Sequence, residues 1–144
     1  MFTTIECSGR VRVPLSPDAA IQYFTPEGER RWVPGWDPTY PAGAAVPLAP
    51  GLIFETVADG GRTTWVVTHN APREMAYGRV LPGDHAGTVA VRCEPEGDGT
   101  LAHVTYRLTA LGPHGARRLA EFEEAYPRFM SLWEEMIGAA VSGG

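Results

Sequence analysis

Lysine is absent from this 144-residue sequence, so all twelve of its basic residues are arginine. The basic residues never cluster beyond a pair, as at Arg30-Arg31 and Arg117-Arg118, and the formal net charge is −5. Proteins that bind nucleic acid usually concentrate positive charge in a patch or stripe. The sequence therefore predicts no nucleic-acid partner.

Cysteine is scarce, and the familiar motifs of metal and cofactor sites are missing. Cys7 and Cys93 form no CxxC pair, and their apolar neighbours predict two buried free thiols. No histidines are spaced as metal ligands, and there is no phosphate-binding glycine loop, dinucleotide fingerprint or serine nucleophile motif. We therefore predict no metal and no cofactor.

Long apolar runs are also lacking. None approaches the ~20 residues that a membrane-spanning helix needs, and the first ten residues lack the basic start and apolar middle of a secretory signal. These observations predict a cytoplasmic protein without a membrane span. The length and the hydrophobic content of 44% are typical of a single domain over residues 1–144.

Two short helices are predicted after a first strand over residues 2–14. Ser16-Pro17-Asp18 and Thr25-Pro26-Glu27 each combine a capping hydroxyl, a proline at the first helical position and an acid in the first turn. Five prolines then interrupt residues 34–50. This stretch is predicted to be a loop with at most a short edge strand, because proline cannot donate to a sheet.

An antiparallel meander and a long helix are predicted for the rest of the chain. The strand-like runs cover residues 52–57, 63–69, 74–81, 88–94 and 101–111. Short turn sequences such as Asp59-Gly60-Gly61 separate them, which is typical of consecutive hairpins. Over residues 113–141, apolar residues recur at steps of three and four, as in an amphipathic helix.

Three segments carry a resemblance to a known superfamily: residues 13–20 (VPLSPDAA), 32–36 (WVPGW) and 104–111 (VTYRLTAL). Together with the order of the elements, they resemble the START-like helix-grip superfamily, also called SRPBCC, and its polyketide cyclase/dehydratase and lipid-transfer branch. The resemblance implies an α+β fold. In it, a curved antiparallel sheet of six or seven strands surrounds the C-terminal helix, with two short helices after the first strand. The proline-rich residues 34–50 depart from this pattern where a strand should lie.

The resemblance also implies an apolar cavity between the sheet and the helix, where members bind lipids, sterols, hormones or polyketides. We expect a volume of roughly 300–1,000 Å³, the range usual for ligand sites. The inward faces of the predicted elements supply eight candidate ligand-binding residues: Phe54, Trp65, Tyr77, Arg79, Tyr106, Phe129, Met130 and Trp133. Aromatic residues at this spacing also form ordinary cores, and that alternative stays open.

Two polar residues on these strands have two interpretations each. Arg79 shares a strand face with Tyr77. If that face is inward, the guanidinium needs an anionic partner or ligand, whereas at the strand end it would extend into water. His69 shares a face with Trp65 and could act as a general base if it points inward, but otherwise it is a surface or structural histidine.

Three functions are compatible with the sequence. The first is a carrier or sensor that binds a small hydrophobic ligand, such as a lipid, between the sheet and the helix. The alternative is an enzyme of the polyketide cyclase/dehydratase type, in which Arg79, Tyr77 or His69 polarises a carbonyl or moves a proton. A second alternative is a co-chaperone-like module that exposes the Trp32–Trp36 segment to a partner protein. The sequence leaves open whether the protein is an enzyme and whether it forms a homodimer.

Overall fold

Six antiparallel strands form one sheet in this structure, a computed structural model that describes residues 1–44 and 46–143. The strands are β1 (Thr4–Val13), β2 (Ile53–Ala58), β3 (Gly61–Ala71), β4 (Glu74–Leu81), β5 (His85–Glu96) and β6 (Gly99–Ala110). Their order across the sheet is β1-β6-β5-β4-β3-β2. The turn between β2 and β3 has φ 52° at Asp59 and 77° at Gly60, as an Asp-Gly hairpin requires. The predicted antiparallel sheet is confirmed.

The predicted helices are confirmed as well. α1 (Pro17–Ala20) continues as a 3-10 turn over Ile21–Phe24, and a second 3-10 helix follows at Gly28–Arg31. The hydroxyl of Thr25 accepts a hydrogen bond from the Gly28 amide at 3.0 Å, which is the capping role its sequence context predicts. The long helix α2 spans Pro113–Gly143.

The described residues of the proline-rich stretch contribute one bridge to the sheet. The backbone amides and carbonyls of Thr39 and Glu55 exchange two hydrogen bonds of 2.9 Å, beside the edge strand β2. The sheet therefore has six full strands, because the prolines on either side of Thr39 prevent a longer pairing. The predicted loop over residues 34–50 includes Ala45, which lies outside the described residues.

Helix α2 lies in the curve of the sheet and packs mainly against β1 and β6. The helix comes close to the sheet at Gly9 of β1, where an added Cβ would lie 2.6 Å from Cγ of Met130. Tyr126 fixes the helix to β6 by donating a hydrogen bond of 2.7 Å to the Val104 carbonyl. Among the described residues, no helix is long and apolar enough to cross a membrane.

Candidate functional site

The inner face of β2, β3 and β4 carries a cluster of aromatic rings. Phe54 lies opposite Trp65 across the β2–β3 pair, and the two rings stack at a centroid distance of 5.6 Å. Tyr77 meets both rings edge-on, at 5.8 and 5.9 Å. The Tyr77 hydroxyl donates to the Phe24 carbonyl at 2.5 Å. This hydroxyl is therefore engaged with the backbone and not free for other chemistry.

On the helix side, Trp133 and Tyr106 face this cluster. The Trp133 ring lies 5.3 Å from Trp32 and 6.3 Å from Tyr106. The two remaining candidates on α2 point elsewhere. Phe129 packs on Phe122 at 5.6 Å, and Met130 lies against β1 at Gly9.

The space enclosed between the sheet and α2 is much smaller than expected. Its volume is about 20 Å³, so the expectation of several hundred Å³ is wrong. The aromatic rings interdigitate and fill the interior, leaving room for about one water molecule. Four of the eight candidates line it, namely Trp65, Tyr77, Tyr106 and Trp133, together with Phe24, Glu29, Val89, Val91 and Val104. Phe54, Arg79, Phe129 and Met130 lie outside this lining.

Glu29 is a lining residue that the sequence analysis missed. It belongs to the 3-10 helix Gly28–Arg31 and turns its carboxyl group toward the cavity. Burial raises the pKa of this carboxyl well above its usual range, although the positive charge of Arg79 partly opposes the shift. A sequence signal existed, since Glu29 precedes Trp32 and Val33 by three and four residues and so shares their side of the turn.

Arg79 lies on the inward face, and its guanidinium carbon is 4.4 Å from the centre of the Trp65 ring. This is a cation–π distance. Its Nε is fully buried and has no hydrogen-bond partner within the described ranges. Burial lowers the pKa of the guanidinium, and the charges of Tyr106 and Glu29 act in the opposite direction. Arg79 therefore lies beside Trp65 with its Nε buried, while the residue as a whole stays partly exposed.

His69 points away from the interior, so its role as an inward general base is wrong. The pairing of β3 with β4 shifts between Val67 and His69, where a bulge reverses the alternation of side chains. The His69 side chain is 52% exposed and lies 2.8 Å from the Glu74 carboxylate. A one-residue bulge leaves no clear mark in the sequence, which explains the error.

A second buried polar group, the pair Asp84–His85, was also missed. The strand after Asp84 was predicted to begin at residue 88, yet β5 begins at His85 and directs that side chain inward, with 6% of its surface exposed. Its Nδ1 lies 2.6 Å from Asp84 Oδ1, while the other oxygen of Asp84 accepts from Arg118 at 3.0 Å. The His85 Nε2 atom is buried without a partner in the part of the chain that the structure describes.

The Trp32–Trp36 segment packs onto the core and is not an exposed patch. Trp32 is buried, and its indole N–H donates to the Tyr23 carbonyl at 2.7 Å. Trp36 is partly buried against Phe54 and Trp65, and its indole N–H donates to the Pro26 carbonyl at 2.8 Å. Trp36 therefore covers part of the inner face of β2 and β3, whereas Trp32 contacts Phe24 and Trp133.

Comparison with known proteins rests on structure. No family model matches the sequence, and no curated protein matches it either. A protein from Rhizobium leguminosarum superposes with a TM-score of 0.73 at 14% identity, covering 100% of this chain and 98% of that one. Norcoclaurine synthase from Thalictrum flavum, in complex with dopamine and hydroxybenzaldehyde, gives 0.69 at 11% identity, with 99% and 88% covered. The Aha1 dimer from Colwellia psychrerythraea gives 0.66 at 16% identity, with 94% and 98% covered.

The fold is the START-like helix grip. At these identities the likeness establishes the fold and nothing further. Three polar side chains lie at or beside the aromatic interior, namely Glu29, Arg79 and His85. No three His, Cys, Asp or Glu side chains come together as around a metal ion, as far as the described residues extend. The interior therefore combines aromatic walls with one guanidinium, one carboxyl and one imidazole.

Proposed function

We propose that this START-like protein binds a small hydrophobic molecule as a carrier or sensor. The aromatic body of the ligand lies among Trp65, Tyr106 and Trp133, and one acidic, phenolic or carbonyl end meets Arg79. The observation that carries the proposal is the buried Nε of Arg79, which has no partner among the described residues.

The cost of burying Arg79 supports this proposal. A guanidinium N–H that is removed from water requires a hydrogen-bond acceptor to offset its desolvation, and Nε of Arg79 is such a group. The contact with Trp65 supplies a cation–π attraction of about 0.5–2 kcal/mol. Glu29 lies close enough to influence the pKa of Arg79, but Nε of Arg79 has no hydrogen-bond partner among the described residues. An oxygen of a bound ligand would supply the missing acceptor.

The size of the interior favours a small aromatic ligand that opens the site as it enters. A cavity of about 20 Å³ holds no organic molecule. Trp133 lines the cavity and contacts Trp32, and we propose that these two rings separate when the ligand enters. Norcoclaurine synthase, which shares the fold, is known in complex with dopamine and hydroxybenzaldehyde, two molecules of this size class.

A fluorescence titration tests the proposal, because Trp65 and Trp133 line the site and report its occupancy. We expect aromatic carboxylates and phenols to bind the wild type, and Arg79→Met to weaken that binding about tenfold or more, the scale of one hydrogen bond to a charged group. Arg107→Met is the matched control, because Arg107 lies exposed on the outer face of β6 and should leave affinity unchanged. Equal affinities of all three proteins would contradict the assignment of Arg79.

An enzyme of the cyclase/dehydratase type is the second candidate, favoured by the raised pKa of Glu29. A buried carboxyl whose pKa is raised can act as a general acid. Among the groups first considered for this chemistry, Tyr77 is bonded to the backbone and His69 points outward. Mass spectrometry of each bound ligand after incubation distinguishes the two functions, since a carrier returns it unchanged.

A further inference from the structure

Two buried side-chain atoms lack a hydrogen-bond partner among residues 1–44 and 46–143: Nε of Arg79 and Nε2 of His85. The first always carries a proton and can only donate, because guanidinium has no acceptor. Leaving a buried polar atom unpaired costs about 1–3 kcal/mol. Two such atoms on neighbouring strands therefore call for a common explanation.

The neighbours of His85 determine that its Nε2 is an acceptor. Its Nδ1–H donates to Asp84 at 2.6 Å, and Asp84 is held by Arg118 from α2. Burial opposes the ionisation of Asp84, but the hydrogen bond from His85 and the charge of Arg118 lower its pKa overall. Burial also lowers the pKa of His85, so the ring is neutral with a free lone pair on Nε2.

The strand register brings the two groups to the same part of the interior. Leu81 pairs with His85 and Arg79 pairs with Gly87 across β4 and β5, so Arg79 and His85 are diagonal neighbours on one face. Gly87, which lies directly opposite Arg79, has no side chain to stand between them. The charge of Arg79 also lowers the pKa of His85, as expected at short range.

We propose that Arg79 and His85 together bind one hydroxyl group of the ligand, with Arg79 Nε–H donating to its oxygen and His85 Nε2 accepting its proton. This inference rests on the proposed function and narrows the ligand to phenols and enols. A carboxylate or ketone has no proton for His85, and a charged amine has no lone pair for Arg79. A hydroxyl satisfies both at once.

An acidic hydroxyl can transfer its proton in this arrangement. The O–H bond breaks, its electron pair stays on the oxygen facing Arg79, and a new N–H bond forms at His85 Nε2. The Asp84 carboxylate stabilises the resulting imidazolium. The net charge of the complex is unchanged, and no further reactant is needed.

The test compares para-nitrophenol with para-nitroanisole, which has the same ring but a methylated oxygen. We expect the wild type to bind para-nitrophenol about tenfold more tightly or better, and the bound ligand to show the visible absorbance of the phenolate. His85→Gln should abolish the phenolate absorbance, because an amide accepts a hydrogen bond but takes up no proton. His103→Gln should retain it, because His103 pairs with Glu94 away from the interior.

A measurement on the unaltered protein covers the case in which His85→Gln fails to fold. Nitrogen NMR of the histidine side chains should show Nε2 of His85 unprotonated without ligand and shifted toward the protonated form with para-nitrophenol only. Equal affinity for both ligands, with no shift, would mean that an ordered water alone fills the gap, which overturns the inference but leaves the proposed function. Failure of both ligands to bind would contradict the proposed function itself.

Discussion

Glu29 carries a free-energy cost that its neighbours do not remove. Its carboxyl group faces Trp65, Tyr77 and Tyr106, and burial raises its pKa well above the ordinary range. A group with a raised folded-state pKa contributes its full stability only below its unfolded pKa and loses it as pH rises through the folded pKa. The ionisation of Glu29 in the unfolded chain therefore opposes folding near neutral pH.

Replacing Glu29 by glutamine should stabilise the protein at about pH 7. We expect the free energy of unfolding to rise by roughly 1 kcal/mol or more, the scale of a buried polar mismatch, and to change little at about pH 4, where the glutamate is protonated in both states. Urea unfolding at both pH values measures the difference. Glu124→Gln, on the exposed face of α2, serves as the control and should change neither value. A destabilised Glu29→Gln at neutral pH would mean that the carboxylate is the favoured form.

At the residue scale, the sequence correctly predicted which apolar strand residues face inward, but it failed for the polar residues His69 and His85. The alternation of β6 correctly directs Val104 and Tyr106 inward, because period-two burial follows from strand geometry. His69 was misassigned because a bulge reverses its direction. The inward position of His85 was missed because β5 begins at this residue, three residues before the predicted start of the strand. Neither the bulge nor the early start of β5 requires a characteristic residue type, so a single sequence does not reveal them.

At the scale of elements, the first turn of α2 docks on the turn between β4 and β5. The Gly115 backbone approaches Asp84 so closely that an added Cβ would lie 1.8 Å from the Asp84 carbonyl oxygen. The same carbonyl accepts from the Leu111 amide at 2.8 Å. A glycine early in a helix is unfavourable for helix formation, so its position here follows from this contact.

In Gly115→Ala, helix propensity and packing should therefore change the stability in opposite directions. Propensity alone predicts a gain of about 1 kcal/mol, whereas the clash with backbone atoms predicts a loss of about 1–3 kcal/mol. We expect the loss, together with weaker ligand binding, because the shift of α2 would displace Arg118 from Asp84. Gly138→Ala is the control on the same helix, since nothing lies within 4 Å of its added Cβ, and it should stabilise. Thermal unfolding of both variants measures the contrast, and a stabilised Gly115→Ala would refute the close approach.

The elements themselves could be predicted because each has a local cause. Pro17 marks the start of α1, the Thr25 hydroxyl bonds the Gly28 amide where the second 3-10 helix begins, and turn sequences such as Asp59-Gly60 mark the hairpins. The reduction of the seventh strand to the bridge at Thr39 follows from the prolines around it. The docking of α2 at Gly115 is a tertiary contact, which periodicity along one element does not encode.

At the scale of the whole molecule, two different layers cover the inner face of the sheet. Helix α2 packs mainly on β1 and β6, whereas Trp36 packs on Phe54 and Trp65 from the segment before β2. Trp32 and Trp133 join the two layers edge-on at 5.3 Å. The fold family could be anticipated from element order, but the volume of about 20 Å³ could not, because it depends on how these rings fit together.

If the Trp32–Trp133 contact closes the ligand site, removing it should destabilise the folded protein and increase its affinity for a larger ligand. Trp133→Ala should lower the free energy of unfolding by about 2 kcal/mol, below the ~3–5 kcal/mol of a fully buried tryptophan, because Trp133 is only partly buried. The vacated space should increase affinity for a two-ring phenol such as 2-naphthol by about tenfold, since less of the packed interior must be displaced.

Leu132→Ala is the matched control for this last prediction. Leu132 precedes Trp133 on α2 but is 47% exposed, so its loss removes side-chain volume from the surface and leaves the interior unchanged. Urea unfolding measures the stability of both variants, and a 2-naphthol titration measures their affinity for the larger ligand. A Trp133→Ala protein that is destabilised yet binds naphthol no better than Leu132→Ala would show that the interior collapses around the missing ring. The ligand would then have to enter on the side covered by Trp36, between the proline-rich segment and β3.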